Sequence, residues 1–171
     1  MDRDETVALF LQGREAWNAW AEKMLAEREA LKEASRWAAE RTRWEKKAWA
    51  DFSRCFFLVA GGDEAKKTLA TVKTIQLDSG AIEFERFLFP DDVSFDKATF
   101  SGDADFKAAS FSGDANFGNA AFWGTATFSI TTFSRHAYFA NAEFWQGAHF
   151  VGATCQNLLL FNDAKSLVSQ R

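Results

Sequence analysis

Proline occurs once in the 171 residues and tyrosine once. A chain this poor in proline is not an extended proline-rich linker. Only two cysteines are present, Cys55 and Cys155, a hundred positions apart. They form neither a CxxC pair nor the even framework of a small secreted domain, so two reduced thiols are expected. The longest apolar run, Cys55 to Ala60, is far short of the roughly 20 residues that cross a bilayer. The opening MDRDET is acidic, with no small-residue cleavage site after it, so no secretory leader is expected and the reading is cytoplasmic. An excess of positive charge is missing too: 24 acidic against 20 basic residues give −4, and direct binding to nucleic acid is not expected.

Against these shortages stand 19 phenylalanines, seven tryptophans and a hydrophobic content of 47%. The phenylalanines are ordered. From the middle of the chain they fall at Phe84, Phe89, Phe95, Phe100, Phe106, Phe111, Phe117, Phe122, Phe128, Phe133, Phe139, Phe144 and Phe150, with Cys155 and Phe161 in the next two places. The gaps alternate five and six without a slip. Two residues before each stands a second series: Ile82, Phe87, Val93, then Ala98, Ala104, Ala109, Ala115, Ala120, Ala126, Thr131, Ala137, Ala142, Ala148, Ala153 and Leu159.

An 11-residue period can also mark a helical supercoil. On a helix, however, residues five apart sit about 140° apart, on different sides. In a strand, residues two apart share a face, so each Ala-x-Phe places a small and a large side chain inward together. The corner between Phe95 and Ala98 is short, and the corner Ser101-Gly102-Asp103 carries one more residue. Gly102, Gly113 and Gly124 recur every 11 residues in the long corner, where a permissive backbone is the expected reason for glycine.

The repeated Ala-x-Phe-x-x resembles the pentapeptide-repeat family in its Phe-rich form with alternating five- and six-residue spacing. The resemblance covers about Ile82 to Ser166 and implies a right-handed quadrilateral β-helix, four faces per coil, with both residue series inside. A coil is then 22 residues, and the inward columns are Phe84/Phe106/Phe128/Phe150, Phe89/Phe111/Phe133/Cys155, Phe95/Phe117/Phe139/Phe161 and Phe100/Phe122/Phe144/Ser166. Large residues at the small position (Ile82, Phe87, Val93) are expected to close the start of the tube. Leu159, with Cys155 and Ser166 in place of Phe, is expected to close its end.

The first part of the chain is of another kind. From Gly13 to about Phe52 there is no proline and no further glycine, and Ala, Glu, Lys, Arg and Trp dominate, which is helix composition. Trp17, Trp20, Met24 and Leu31 fall at helical spacing, with Lys23/Glu27 and Glu33/Arg36 as candidate pairs. One long helix or a helical hairpin is expected. The stretch Gly13-Arg14-Glu15-Ala16-Trp17-Asn18-Ala19-Trp20 resembles the G-x-x-A-W-N-x-W segment that often precedes the repeats in the same family. The organisation read here is a helical segment over 1–52, a transition over 53–80 with Gly61-Gly62-Asp63 as a turn and Leu69, Val72, Ile75 and Leu77 as a strand or irregular coil, the β-helix over 81–166, and a tail over 167–171.

No nucleophile, base or metal constellation emerges, so no enzyme, cofactor or metal site is expected. His136 falls in a corner and His149 points outward, 13 residues apart, which is no ligand spacing on a 22-residue coil. Asp92, Asp114 and His136 stack at one corner, where a solvated surface is expected before a weak cation site. Neither Gly61-Gly62 nor the corner glycines match a phosphate or dinucleotide fingerprint.

Surface remains. Trp123 and Trp145 each follow an inward Phe and so point outward, one coil apart, with Leu167 next above and Tyr138 and His149 near. Either the helix or the tail covers them, or another protein or a second copy docks there. The expected function is a non-catalytic protein-interaction or scaffold module with Trp123, Trp145, Tyr138 and Leu167 as its docking face.

The family resemblance brings an alternative, imitation of duplex DNA to bind a type II topoisomerase such as gyrase. Between Phe84 and Phe161 eight acidic and four basic residues leave −4. Four coils span about 20 Å, where a duplex carries about twelve charges. The charge falls short about threefold. A membrane-peripheral role for the Trp-rich helix is a minor alternative, since ten basic and eight acidic residues from Arg14 to Arg54 offer anionic lipid little.

Overall fold

The computed structural model describes residues 1–59, 73–78 and 80–166. Gly61-Gly62-Asp63, Leu69, Val72 and Leu167 lie outside the described residues. Three helices open the chain: α1 (Arg3–Phe10), α2 (Arg14–Glu33) and α3 (Trp37–Ala48). A capping box starts α1, Asp2 accepting from the Glu5 amide while the Glu5 carboxylate accepts from the Asp2 amide. Gly13, at φ 89°, breaks α1 from α2. Helices α2 and α3 pair along their length around Met24, Trp44 and Ala48, and the Trp44 indole donates to the Met24 carbonyl at 2.8 Å. The charge pairs differ from those expected within one helix. Glu27 meets Lys47 across the hairpin at 2.6 Å, and Arg36 meets Glu40.

The rest is a right-handed parallel β-solenoid of about four 22-residue coils. Four strand pairings run up its sides in register. The first face stacks Ala50–Asp51 (β1), Val93–Ser94, Ala115–Asn116, Ala137–Tyr138 and Leu159–Leu160. The second stacks Cys55–Val59 (β2), Thr99–Phe100, Ala121–Phe122, Glu143–Phe144 and Lys165–Ser166, with Lys73–Leu77 (β3) added outside β2. The third begins with Ala81–Glu83 (β4) and the fourth with Leu88–Phe89 (β5).

Inside, the rings form the four expected columns. Phe84, Phe106, Phe128 and Phe150 lie parallel with centroids 4.8 to 4.9 Å apart, the spacing of hydrogen-bonded strands. Rings of neighbouring columns meet edge to face, as Phe95 and Phe106 do at 5.5 Å and 85°. Each buried Phe contributes about 2–3 kcal/mol by transfer from water, so a tube this narrow holds. Two columns also run one coil further down than the repeat pattern shows. Phe52 lies under Phe95 and Phe57 under Phe100, each within 5.0 Å and 4°.

The corners correct one expectation. Positive φ is found in the short corners, at Arg54, Arg86, Lys97, Ala108, Asn119, Ile130, Asn141, Gly152 and Asp163, and in one long corner, at Gly147. In the short corners the amide after the turn bonds back to the inward Phe carbonyl, as Ala98 does to Phe95, giving a turn whose third residue is left-handed. Gly113 and Gly124 have ordinary backbone angles and are glycine for want of room. A Cβ on Gly113 would lie 2.3 Å from the Asp92 nitrogen, and one on Gly124 2.4 Å from the Asp103 nitrogen.

The two ends differ. At the start, Phe10 of α1 stacks on Phe84 at 4.8 Å and so plugs the lumen. Trp17 of α2 lies against Phe52, Phe87 and Phe89, and its indole donates to the Leu88 carbonyl. Asn18 completes the exposed edge of β5 as a strand would, donating to the Arg86 carbonyl at 2.9 Å and accepting from the Leu88 amide at 3.0 Å. The Ala-Trp-Asn segment thus seals the first coil although some sixty residues intervene. At the other end the expected closure is not made among the described residues: Leu159 and Phe161 are each 39% exposed. Among the described residues no further coil lies over Leu159.

Candidate functional site

Outward positions of the second face carry Phe56, Thr99, Ala121, Glu143 and Lys165 in register. One residue beyond each inward Phe of this face the chain turns, and here stand Trp123 and Trp145. The Trp123 amide donates to the Phe100 carbonyl and the Trp145 amide to the Phe122 carbonyl, so the two tryptophans occupy one position in successive coils. Trp123 is half-buried because its ring meets Phe56 edge to face at 5.6 Å. Its small neighbours Thr99 and Ala121 leave room for that contact. Trp145 is 50% exposed. Most aromatic residues of the protein are in the core, and this row is a minority on the outside.

Tyr138, the third expected docking residue, lies on the first face, where it stacks with His136 at 5.8 Å. His149 lies exposed on the third. The structure therefore brings Trp123 and Trp145 together and places Tyr138 and His149 on the flanking faces. Phe56 escaped the sequence reading, since it sits outside the repeat run. The phenylalanines and Cys155 of the core ladder line the lumen, and Phe161 is its last ring.

The acidic corner has a structural use. Asp92 Oδ1 accepts the Asp114 amide at 2.7 Å, and Asp114 Oδ1 accepts the His136 amide and lies 3.0 Å from His136 Nδ1 and 3.2 Å from Arg135 Nε. Asp103 does the same for Thr125 at the next corner. Each carboxylate caps a corner amide of the coil above. Asp91, beside them and under α3, has its carboxyl raised to about 6, first by burial and then by the Asp92 charge. A shallow groove of about 600 Å³ runs along the first face between Trp49 and Tyr138, lined by Asp92, Asp96, Asn116 and Asn119. Among the described residues no three or more His, Cys, Asp or Glu are grouped to hold a metal ion. Cys55 is buried at a small inward position, and burial pushes its thiol up to about 12. No helix among the described residues is long and apolar enough to cross a membrane.

A four-sided parallel solenoid with phenylalanine columns and Ala-x-Phe steps is the architecture of a repeat protein, and the comparison with known families agrees. Residues 84–129 match the family model of the pentapeptide repeats (9 copies), so that segment is identified with that repeat family. No curated protein and no solved structure matches it.

Proposed function

We propose that the protein is a non-catalytic binding module that docks another protein on its second face, through Trp145, Trp123 and Phe56. The observation that carries this reading is the aromatic row itself. A half-exposed tryptophan continues a pair of contacting rings up a flat sheet face, and large rings of this kind supply most of the binding energy at protein interfaces. The acidic corners, by contrast, are occupied in capping backbone amides.

Imitation of DNA is the weaker reading. Three of the eight acids that would stand for phosphates, Asp92, Asp103 and Asp114, are tied to backbone amides of the coil above, and that role accounts for these three without a topoisomerase. The test compares wild type with Trp123→Ser/Trp145→Ser as baits, with folding checked by circular dichroism. Partners retained by wild type and lost by the folded double variant support docking on this face. Equal capture by both overturns it. A supercoiling assay in which micromolar protein inhibits or protects a type II topoisomerase would install the other reading in its place.

A further inference from the structure

We infer that the groove on the first face binds a neutral linear oligosaccharide, on a different side of the tube from the docking face proposed above. Three columns of residues build it. Trp49, Asp92, Asp114 and His136 follow one another at the corner that enters this face, the carbonyl of each of the last three accepting the amide that opens the strand below. Ser94, Asn116 and Tyr138 are its outward strand positions, in register. Gly118 and Ala140 stand at the corner that leaves it, in the turn position that Glu85, Asp96 and Lys107 hold elsewhere, and so that side is open over two coils. The result is a groove of about 600 Å³ with an aromatic ring toward each end. Trp49 is 41% exposed, and Tyr138 is steadied by stacking on His136. From the strand after Trp49 to that of Tyr138 there are three strand spacings, about 14 Å.

The lining selects the ligand. Asp114 faces Arg135 and Asp96 faces Lys97, so of the three carboxylates in the groove only Asp92 is without an ion pair among the described residues. That is too little charge to select a polycation. What the groove offers is hydrogen-bonding atoms of both kinds. Asp92 Oδ2 and Asp114 Oδ2 accept from no donor among the described residues, and Asn116, whose Oδ1 takes the Gly118 amide, keeps its side-chain NH2 to donate. An ammonium or guanidinium only donates and leaves Asn116 unmet, whereas a hydroxyl donates and accepts. The strands beneath give their backbone groups to neighbouring coils, so an extended peptide finds no ladder to join on this face. A sugar ring meets both demands, laying an apolar C–H face on an indole and turning its hydroxyls to the polar floor. A β-linked chain of such rings advances by a step close to one strand spacing, so about three rings fill the groove.

The experiment is nuclear magnetic resonance titration of the full chain with cellotetraose, tetra-N-acetylchitotetraose, mannotetraose and maltotetraose, read at the Trp49 indole and the Asn116 and Asn119 side-chain amides. At least one of the four should shift these signals with a Kd below about 1 mM. Trp49→Ala, and Ala140→Leu, which fills the open side, should each weaken that binding at least tenfold with an unchanged circular dichroism spectrum. Trp145→Ser, on the second face, should bind as wild type does. Spermidine and a tetralysine peptide serve as competing probes. Groove signals that no sugar moves at about 10 mM overturn the inference. So does a shift by spermidine or the peptide at tenfold lower concentration than the best sugar, a folded groove variant that binds as wild type does, or loss of sugar binding in Trp145→Ser.

Discussion

Phe52 lies parallel to Phe95, 5.0 Å between centroids and 4° between planes, although 43 positions separate them and one coil takes 22. The surplus is inserted between β2 and β4, and Phe57 over Phe100 shows the same offset. The first coil is thus split by an insertion that contains β3, and its rings still stack with those above. The columns tolerate a long insertion because closing a longer connection costs little more than closing a short one.

The middle of the stack is expected to be its least tolerant part. Phe106→Ala or Phe117→Ala should cost about 3–5 kcal/mol, since each ring is fully buried between parallel rings above and below. Phe161→Ala should cost under about 1 kcal/mol, its ring being 39% exposed and stacked, among the described residues, on Phe139 alone. Urea unfolding followed by circular dichroism gives the comparison. Equal losses at the two sites would mean that the end is as closed as the middle.

Ile130 is a β-branched residue at φ 59° and is well exposed. Left-handed backbone costs an L residue about 1–2 kcal/mol. Ile130→Asn, matching Asn119 and Asn141 at the equivalent corners, should raise the melting temperature by a few degrees. Gly113→Ala should do the reverse and lose about 2 kcal/mol or more, because its Cβ meets backbone rather than a flexible side chain.

Asn18→Ala removes both hydrogen bonds at the edge of β5, leaving the Leu88 amide and Arg86 carbonyl without those partners. A loss of about 1–3 kcal/mol is expected. Native-state exchange should show the Leu88 amide opening faster while Phe117 and its neighbours in the central coils stay protected. Uniform acceleration throughout would deny Asn18 a role specific to the end.

Asp91 sets a pH dependence with a definite sign. Its carboxyl is raised in the fold from an ordinary 3.8 to about 6, so the folded state holds the proton more tightly. The contribution is full below about pH 4 and is lost as pH rises through about 6. Asp91→Asn should therefore be more stable than wild type at pH 7 and level with it near pH 4. A constant difference between the two across that range would show that the group does not titrate as its surroundings require.

Cys55 and Cys155 should separate by reactivity. With its thiol pushed up to about 12 and its side chain buried, Cys55 should resist alkylation at pH 8 in the folded protein, while the partly open Cys155 reacts. One label per chain before unfolding and two after is the expected count by mass. Labelling of Cys55 in the native protein would place it outside the lumen.

The extent of the repeat was legible wherever the five-and-six spacing ran unbroken, from Phe84 onward. Ala50-x-Phe52 and Cys55-x-Phe57 carry the same small-x-large pattern and were readable one by one. The insertion removed the phase that would have tied them to Phe95 and Phe100. Glycine recurrence was also visible in the sequence, but its reason was not. A turn and a close approach both select glycine, and only coordinates show that Gly113 faces the Asp92 backbone while Lys97 and Ile130 take the left-handed angles. Strand alternation in the sequence led to the expectation that Trp123 points outward, whereas its contact with Phe56 joins residues outside any common period.

Alternation along a strand and a constant spacing depend on neighbours in the chain, and so the order of residues alone determined the short strands and which side chains turn inward, while four faces per coil came with the family resemblance. The tertiary structure decided what happens where the period stops: that Phe10 and Trp17 close one end, that Asn18 stands in for a missing strand, and that Leu159 and Phe161 at the other remain partly open. Those outcomes depend on contacts between segments with no shared phase, and the strength of such contacts is a matter of distance in space rather than spacing in sequence.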